Sequence, residues 1–367
     1  MRNIPQFEPW LDNAEQQQLC GCINDNWITG GPRVKEFERR IAELVGVKHA
    51  ISCSNGTTAL YLGLLALGIE PGDFVVVPDF TFIASANAVT WTGAKPIFAD
   101  IDKDTLCMTA ETVQAAVNAF GKRREGRIQA IMPIGIYGNS PDMDKLRDLA
   151  ESEELLMIED AAQDIGVSWA GRPLGSWGEV GCLSFYADKT ITTGEGGMVL
   201  TDVDQIAADC VMLMNQGRTG RGFYVHDYVG YNFRMTDLQA GVGLAQLDKL
   251  PEIIKRKRAH EQMYARLLYN VERVNFVRVD PKCKDVPFRH NILVGDPTGL
   301  MAHLQGKGIG AREFFLPLHR QPPYKRPGSF LNSDWAHQHG LSLPSSALLK
   351  DEEIEYVCSA IKEYVNR

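Results

Sequence analysis

A single lysine stands between a short apolar run and a glycine cluster in the segment SFYADKTITTGEGG, residues 184–197. The amine of Lys189 could be a surface charge on a loop, which is the ordinary role of lysine. It could also be a nucleophile toward an aldehyde, provided that burial or a nearby cation keeps part of it unprotonated. The rest of the chain must therefore be searched for partners that would give such an amine a function.

A second segment, SNGTTAL, combines a glycine with hydroxyl side chains at a predicted helix start. Gly56, Thr57 and Thr58 bring free backbone N–H groups and hydroxyls to that N-terminus, which suits an anion such as a phosphate. An ordinary helix cap uses the same residue types, so this alternative stays open. No G-x-G-x-x-G and no G-x-x-x-x-G-K-[ST] occurs, which leaves dinucleotide and Walker-type sites without support.

A third segment, MIEDAAQ, places Asp160 at the end of a predicted buried strand and Gln163 three residues later. Asp160 could be a satisfied structural acid, or it could pair with a protonated ring nitrogen. Phe82 could stack on such a ring, or it could belong to the core. An amine, an acid, an aromatic platform and a phosphate cradle together match the needs of pyridoxal phosphate (PLP). The combination predicts a PLP site.

These segments follow short apolar runs that alternate with helical stretches between about residues 50 and 200. Strands are predicted at 49–54, 73–78, 95–101, 127–134 and 154–160, with helices at 57–67, 82–93 and 141–153. Two further strands flank Lys189 within 181–201. Runs that are apolar on both faces are typical of parallel strands covered by helices on both sides, which predicts a doubly wound α/β sheet. Ligands bind such sheets beyond the carboxyl ends of the strands, where the polar segments lie.

The alternation ends near residue 248, which predicts a large domain over 1–248 and a smaller α+β domain over 249–367. A helix is expected to begin at Pro251 and to run to about Asn270. The basic run 253–262 within it is expected to be a solvated helix face.

Composition excludes several functional classes. The chain has 367 residues with 44% hydrophobic and 23% charged side chains, as in an ordinary globular enzyme. A net charge of −8 argues against nucleic acid or anionic membrane as the main partner. No apolar stretch of about 18 residues is present, which excludes a typical membrane span. The eight cysteines are scattered without a C-x-x-C pattern, which predicts a reducing cytoplasm and no metal site.

Beyond these individual signals, the sequence resembles a known family. The segments S-N-G-T-T-A-L, E-D-A-A-Q, G-C-L-S-F-Y-A-D-K-T-I-T-T-G-E-G-G and G-Y-N-F-R-M-T-D-L-Q-A are similar to the DegT/DnrJ/EryC1/StrS family of PLP-dependent sugar aminotransferases. The similarity extends from residue 27 to about residue 330. It implies the fold type I architecture of aspartate aminotransferase, with a mixed, mostly parallel sheet and a smaller C-terminal domain.

The resemblance also implies roles for individual residues. Lys189 would form the internal aldimine with the cofactor and later move the proton between the substrate carbon and the cofactor. Asp160 would pair with the ring nitrogen, Gln163 would bond the ring hydroxyl, and Asn232 would reach the phosphate in the partner's site of a homodimer. With Thr58 from the helix N-terminus, the expected cofactor-binding residues are Gly56, Thr57, Thr58, Phe82, Asp160, Gln163, Ser184, Lys189 and Asn232.

Within the family, several segments are most similar to members that aminate a 4-keto-6-deoxyhexose carried on GDP. The implied reaction moves an amino group from L-glutamate to such a keto sugar. Two departures bear on the substrate: Gly135 stands where the family commonly has histidine, and Arg312-Glu313-Phe314-Phe315 replaces R-P-F-F. Arg218 and His319 are candidate sugar contacts, with a solvated loop as the alternative for both.

Three alternatives to this reaction stay open. The acceptor could be a keto sugar acid without a nucleotide, or the enzyme could be a PLP-dependent sugar dehydratase. The dehydratase branch carries histidine at the position of Lys189, which argues against that reaction. A cofactor-binding regulatory protein is disfavoured, because a mere binder needs no mobile amine.

Overall fold

The computed structural model describes residues 3–121, 126–219, 224–326 and 328–366. The strands are β1 His49–Cys53, β2 Asp73–Pro78, β3 Lys95–Ala99, β4 Arg127–Ile131, β5 Leu156–Asp160, β6 Ser168–Trp169, β7 Arg172–Pro173, β8 Val180–Ser184, β9 Gly197–Thr201, β10 Asn275–Phe276, β11 Cys283–Lys284, β12 His290–Leu293, β13 Arg312–Glu313 and β14 Gly340–Leu343. The α-helices are α1 Asn13–Asn24, α2 Pro32–Val45, α3 Gly56–Ala66, α4 Ala84–Trp91, α5 Ala110–Gly121, α6 Met143–Ser152, α7 Asp204–Met214, α8 Asp237–Leu268, α9 Pro297–Gly306, α10 Leu331–His339 and α11 Asp351–Val365.

A seven-stranded sheet in the order β1-β9-β8-β5-β4-β2-β3 forms the centre of the larger unit. The pairs β2–β3, β2–β4, β4–β5 and β5–β8 are parallel. Strand β9 runs antiparallel to both of its neighbours, β1 and β8. The sheet is therefore mixed and mostly parallel, as predicted, and Lys189 lies in the connection between two adjacent antiparallel strands.

Both faces of this sheet are buried, as strand β2 illustrates. Val75 and Val77 pack into a cluster that contains Leu60 of α3, whereas Val76 packs into a cluster that contains Leu146 of α6. All three valines are inaccessible to solvent. Because successive side chains of a strand point to opposite faces, this pattern requires a helical layer on each side of the sheet.

Helix α8 differs from the sequence-based prediction. It begins at Asp237, not at Pro251, and continues through that proline to Leu268. Its start is fixed by a capping box, in which the Thr236 hydroxyl accepts from the backbone N–H of Gln239. The basic run 253–262 is not wholly solvated either, since Lys257 is only 1% exposed.

A smaller unit contains the antiparallel sheet β10-β12-β14-β13, helices α9 and α11, and the C-terminal part of α8. Ile4, from the N-terminal segment, also packs into its core and bridges to Ile309. Helix α8 crosses the expected boundary at 248/249 without a break, and that boundary stays a prediction. Among the described residues, no helix has both the length and the apolar character required to cross a membrane.

Candidate active site

A cavity of about 710 Å³ opens where the polar segments of the larger unit meet the smaller unit. Its walls come from the segments after β1, β2, β5 and β8, from the two residues before β12, and from β13 and the residues that follow it. Of the predicted site residues, the cavity brings together Gly56, Thr57, Thr58, Phe82, Asp160, Gln163, Ser184 and Lys189. A further cavity of about 550 Å³ shares no lining residue with it.

The N-terminus of α3 forms one wall of the cavity. Asn55 caps the helix by accepting from the Thr58 backbone N–H at 2.9 Å, and the Thr58 hydroxyl accepts from the Asn55 backbone N–H at 3.2 Å. The Thr58 hydroxyl is therefore committed to the cap, and the N-terminal backbone N–H groups remain the anion donors. A Cβ at Gly56 would lie 2.6 Å from the Ser184 Cβ, so glycine is required for the end of β8 to approach this helix.

Lys189 is held in a tight turn, where its backbone N–H donates to the Tyr186 carbonyl at 2.9 Å. Its Nζ lies 4.8 Å from the centroid of the Phe288 ring and has no hydrogen bond or ion pair within the described residues. Burial lowers the pKa of this amine, although the charges of Asp188 and Asp160 partly oppose the shift. The amine is thus available as a nucleophile and as a base.

Lys257 offers an instructive contrast, because burial lowers the pKa of its amine to about 7. Its Nζ donates to the carbonyls of Ser345 at 2.8 Å and Phe288 at 3.3 Å. It does not line the large cavity. A lowered pKa alone would not distinguish the two lysines, but access to the cavity does.

Asp160 is buried at the end of β5 and is held by two donors. The Ser85 hydroxyl donates to Oδ2 at 2.7 Å, and the Ala162 backbone N–H donates to Oδ1 at 3.2 Å. Burial raises the pKa of Asp160, while these two hydrogen bonds and the charge of Lys189 favour the carboxylate. A cation such as a protonated ring nitrogen would compensate this buried carboxylate.

Gln163 and Phe82 present complementary groups to the same space. The Gln163 Oε1 accepts from the Tyr137 backbone N–H at 2.8 Å, which leaves the Nε2 group as a donor toward the cavity. Phe82 is 56% exposed, and its ring centroid lies 5.9 Å from that of Phe315. An exposed aromatic face on a cavity wall suits stacking with a planar ring.

The structure explains why glycine, and not the histidine expected from the family resemblance, stands at position 135. Any Cβ at this position would lie 2.2 to 2.4 Å from the carboxyl group of Asp164. Asp164 is 2% exposed, and neither oxygen makes a hydrogen bond of ordinary geometry within the described residues. Burial, reinforced by the charges of Asp160 and Glu159, raises the pKa of Asp164 well above its ordinary value. Gly135 therefore leaves room for a buried carboxyl group.

Three predicted residues do not line the cavity of this chain. Asn232 is exposed and forms an isolated bridge with Asn215. His319 is buried, and its Nδ1 and backbone N–H are bound to Asp79 at 2.7 and 2.8 Å. Arg218 lies over the ring of Tyr224 at 5.2 Å. The last three residues of the NQGRTGRG segment that contains Arg218, residues 220–222, lie outside the described ranges.

Sequence reasoning missed other residues of the site. Ser85 lies one helical turn after Phe82, a spacing that could have suggested a shared orientation. Asp188 and Arg289 line the cavity and form an ion pair at 3.1 Å, although 101 positions separate them. No local pattern indicates that pair. Within the described residues, no group of three or more His, Cys, Asp or Glu side chains is placed to hold a metal ion.

Comparison with known proteins agrees with this geometry. Residues 9–362 match the DegT/DnrJ/EryC1/StrS aminotransferase family. A GDP-perosamine synthase of Vibrio cholerae is 38% identical over 372 residues, covering 99% of each chain.

Comparison with solved structures leads to the same family. A DegT/DnrJ/EryC1/StrS aminotransferase from Brucella abortus is 31% identical, with a TM-score of 0.92, over 97% of this chain and 96% of its own. The PLP form of a putative sugar aminotransferase, Spr1654 from Streptococcus pneumoniae, is 26% identical with a TM-score of 0.93, over 100% of this chain and 99% of its own. The predicted fold type and cofactor are thereby confirmed, and the residues around the cavity fit that cofactor. The chain belongs to the DegT/DnrJ/EryC1/StrS family and is a PLP-dependent sugar aminotransferase.

Proposed function

We propose that this enzyme transfers the amino group of L-glutamate to a nucleotide-linked 4-keto-6-deoxyhexose, with Lys189 as the catalytic base. The observation that carries the proposal is the convergence of Lys189, Asp160 and the N-terminus of α3 on one cavity of about 710 Å³. The GDP-perosamine synthases among its relatives support a sugar nucleotide as the acceptor.

Each group has a defined task in this reaction. Bound PLP supplies the electron sink that stabilises a negative charge on the substrate carbon. The Asp160 carboxylate would accept from the ring N–H and keep that nitrogen positive, while Gln163 Nε2 would donate to the ring hydroxyl. The amine of Lys189 would take the proton from the substrate carbon and deliver it to the cofactor. Its lowered pKa increases the fraction of the amine that is in the basic form.

The phosphate of the cofactor would bind at the N-terminus of α3. Backbone N–H groups of Gly56 and Thr57 and the hydroxyl of Ser184 surround that point. Asn232 is exposed and lies outside the cavity of its own chain, which supports a contact with the partner's cofactor in a homodimer. All eight cysteines are unbonded, which supports a reducing cytoplasm as the place of reaction.

A substrate screen tests the reaction. Enzyme carrying the aminated cofactor is mixed with 4-keto sugars on GDP, UDP, dTDP or CMP, and with nucleotide-free keto sugar acids, while the absorbance of the pyridoxal form is followed. A response to a nucleotide-linked 4-keto sugar supports the proposal. A response only to sugar acids would favour that alternative, and loss of a hydroxyl without amination would indicate a dehydratase. No response to any keto sugar would refute the proposal.

A second experiment tests the assignment of the amine. Borohydride treatment of the yellow holoenzyme should fix the cofactor covalently on Lys189. Lys257 is the internal control, since its pKa is also lowered but its amine is bound to two carbonyls. Peptide mapping that places the reduced adduct on any lysine other than Lys189 would contradict the assignment.

A further inference from the structure

A second, much smaller cavity adjoins Lys189, and we call it the chamber. Its volume is about 10 Å³, about the least space that holds one water molecule. Residues 7–10 form one of its walls, and Thr190, Gln246 and Lys257 contribute to the others. Among the described residues, Lys189 alone lines both the chamber and the large cavity. Lys189 therefore stands between the cofactor site and a space of single-water size.

The chamber is lined by polar groups with unused hydrogen-bonding capacity. Thr190 is 7% exposed, and its Oγ1 has no hydrogen-bond partner within the described residues. The buried Nζ of Lys257 donates to the carbonyls of Ser345 and Phe288. Its third position is an N–H when the amine is charged and a lone pair when it is neutral. One water molecule bound between Thr190 and Lys257 would give both groups a partner.

Lys257 is also placed close to the surroundings of Lys189. Phe288 binds Lys257 through its carbonyl, while its ring centroid lies 4.8 Å from the Lys189 Nζ. The ring of Phe7, in the chamber wall, lies 5.7 Å from the Lys257 Nζ. Burial lowers the pKa of Lys257 to about 7, although the charge of Glu261 opposes the shift. Both forms of Lys257 are therefore present near neutral pH, so this amine can accept a proton as well as donate one.

We propose that the chamber holds one water molecule, which bridges Thr190 and Lys257 and relays protons between Lys257 and the Lys189 amine. This inference rests on the proposed role of Lys189 as the base, and it adds a proton route outside the cofactor cavity. A proton on Lys189 moves to the water oxygen while a hydrogen of that water moves to the neutral amine of Lys257. The water is regenerated, Lys189 becomes neutral and Lys257 becomes charged. Thr190 and Lys257 are positioning residues, since neither lines the cofactor cavity.

The relay matters most when substrate is bound. A substrate that fills the large cavity displaces water from that side of Lys189. The chamber then provides an exchange route on its other side, beneath the segment 7–10, in which Glu8 is exposed. Part of the hydrogen taken from the substrate carbon should therefore be lost to solvent before Lys189 delivers it.

The first test follows that hydrogen. The holoenzyme reacts for a single turnover with L-glutamate deuterated at its α-carbon, in ordinary water, and mass spectrometry measures deuterium in the released pyridoxamine phosphate. Thr190→Val removes the hydroxyl and keeps the shape of the side chain, whereas Lys257→Met removes the amine. Both should raise the retained deuterium several-fold, because exchange through the chamber competes less with direct delivery. Thr190→Ser should restore the parent value.

Thr192→Val is the matched control on the same segment. Thr192 is 3% exposed, its Oγ1 donates to the Phe185 carbonyl at 3.1 Å, and it does not line the chamber. This variant should leave the retained deuterium unchanged even where it destabilises the fold. Equal retention in the parent, Thr190→Val and Lys257→Met would overturn the relay, as would an equal rise in Thr192→Val.

A crystal structure of the holoenzyme tests the water site without turnover. The parent should show one ordered water within hydrogen-bonding distance of both Thr190 Oγ1 and Lys257 Nζ, and Thr190→Val should weaken or remove it. A dry chamber in the parent would overturn the inference. A parent enzyme that does not react with L-glutamate would refute the proposed amino donor, and the crystal structure would then still decide whether the water site exists.

Discussion

Replacing Ser85 with alanine isolates one contact to the carboxylate that should hold the ring nitrogen. Ser85 is inaccessible to solvent, and its Oγ donates to Asp160 Oδ2 at 2.7 Å. A hydrogen bond to a charged group stabilises that group by about 1.5–3 kcal/mol. Because one pKa unit corresponds to about 1.4 kcal/mol, losing the bond should raise the pKa of Asp160 by about 1–2 units. Burial already raises that pKa, so both effects act in the same direction.

The proposed function requires the ionised form of Asp160, so the acidic limb of the rate profile should move to higher pH by about 1–2 units. The assay is the single-turnover rate of the holoenzyme with L-glutamate between pH 5 and pH 9 (about the range in which buried carboxyls titrate). Ser333→Ala is the matched control, because Ser333 is equally buried and donates to Asp100 Oδ1 at 2.8 Å, and neither Ser333 nor Asp100 lines the cavity. An unchanged acidic limb in Ser85→Ala would refute the reasoning, as would the same shift in Ser333→Ala.

Three further predictions concern the cradle, a buried acid and the assembly. Gly56→Ala should reduce cofactor affinity about tenfold or more in a PLP titration, because the added methyl group forces the helix away from the end of β8. Gly306→Ala is the control: its Cβ would meet no atom within 4 Å, so PLP binding should be unchanged. The pKa of Asp164 is raised in the folded protein, so its neutral form stabilises the fold fully at acid pH, and this stabilisation is lost as pH rises through the folded-state pKa. Asp164→Asn should therefore raise the melting temperature more at alkaline than at acid pH. Equal changes at both pH values would contradict this. Mixing Lys189→Ala with Asn232→Asp subunits should restore activity toward half of the parent level, because one of the two sites of the proposed dimer would carry neither lesion. No recovery in verified heterodimers would exclude shared sites.

Local patterns predicted much of the larger unit. The predicted strand at 73–78 matches β2, Asp73–Pro78, because a buried parallel strand is a continuous apolar run. Helix α8 was predicted to start fourteen residues too late, since Pro251 lacks a backbone N–H and resembles a helix start. Buried residues on both sides of Pro251, including Leu250 and Ile253, show that tertiary packing compensates for the lost hydrogen bond.

The candidate site was predictable where its residues follow strands, and was not where distant segments meet. Lys189 and Asp160 stand in recognisable local patterns, and both line the cavity. The Ser85–Asp160 hydrogen bond joins residues 75 positions apart, and its partners carry no mark in the sequence. His319 looked like a possible sugar contact, but its bonds to Asp79 occupy the backbone N–H and Nδ1. Side-chain partners decide such cases, and only the fold brings them together.

Helix α8 also constrains how the protein can be divided. At 32 residues it is about 48 Å long, and it has buried side chains from Asp237 to Leu268. Gln246, near its middle, approaches the Thr192 N–H, and Lys257, three turns further on, binds the carbonyl of Phe288. Cutting the gene at residue 248 would split one continuous helix and expose apolar surface on both fragments. A split enzyme would therefore have to be cut in an exposed loop outside this helix. Each residue inserted within the helix would rotate one cavity wall by about 100° relative to the other.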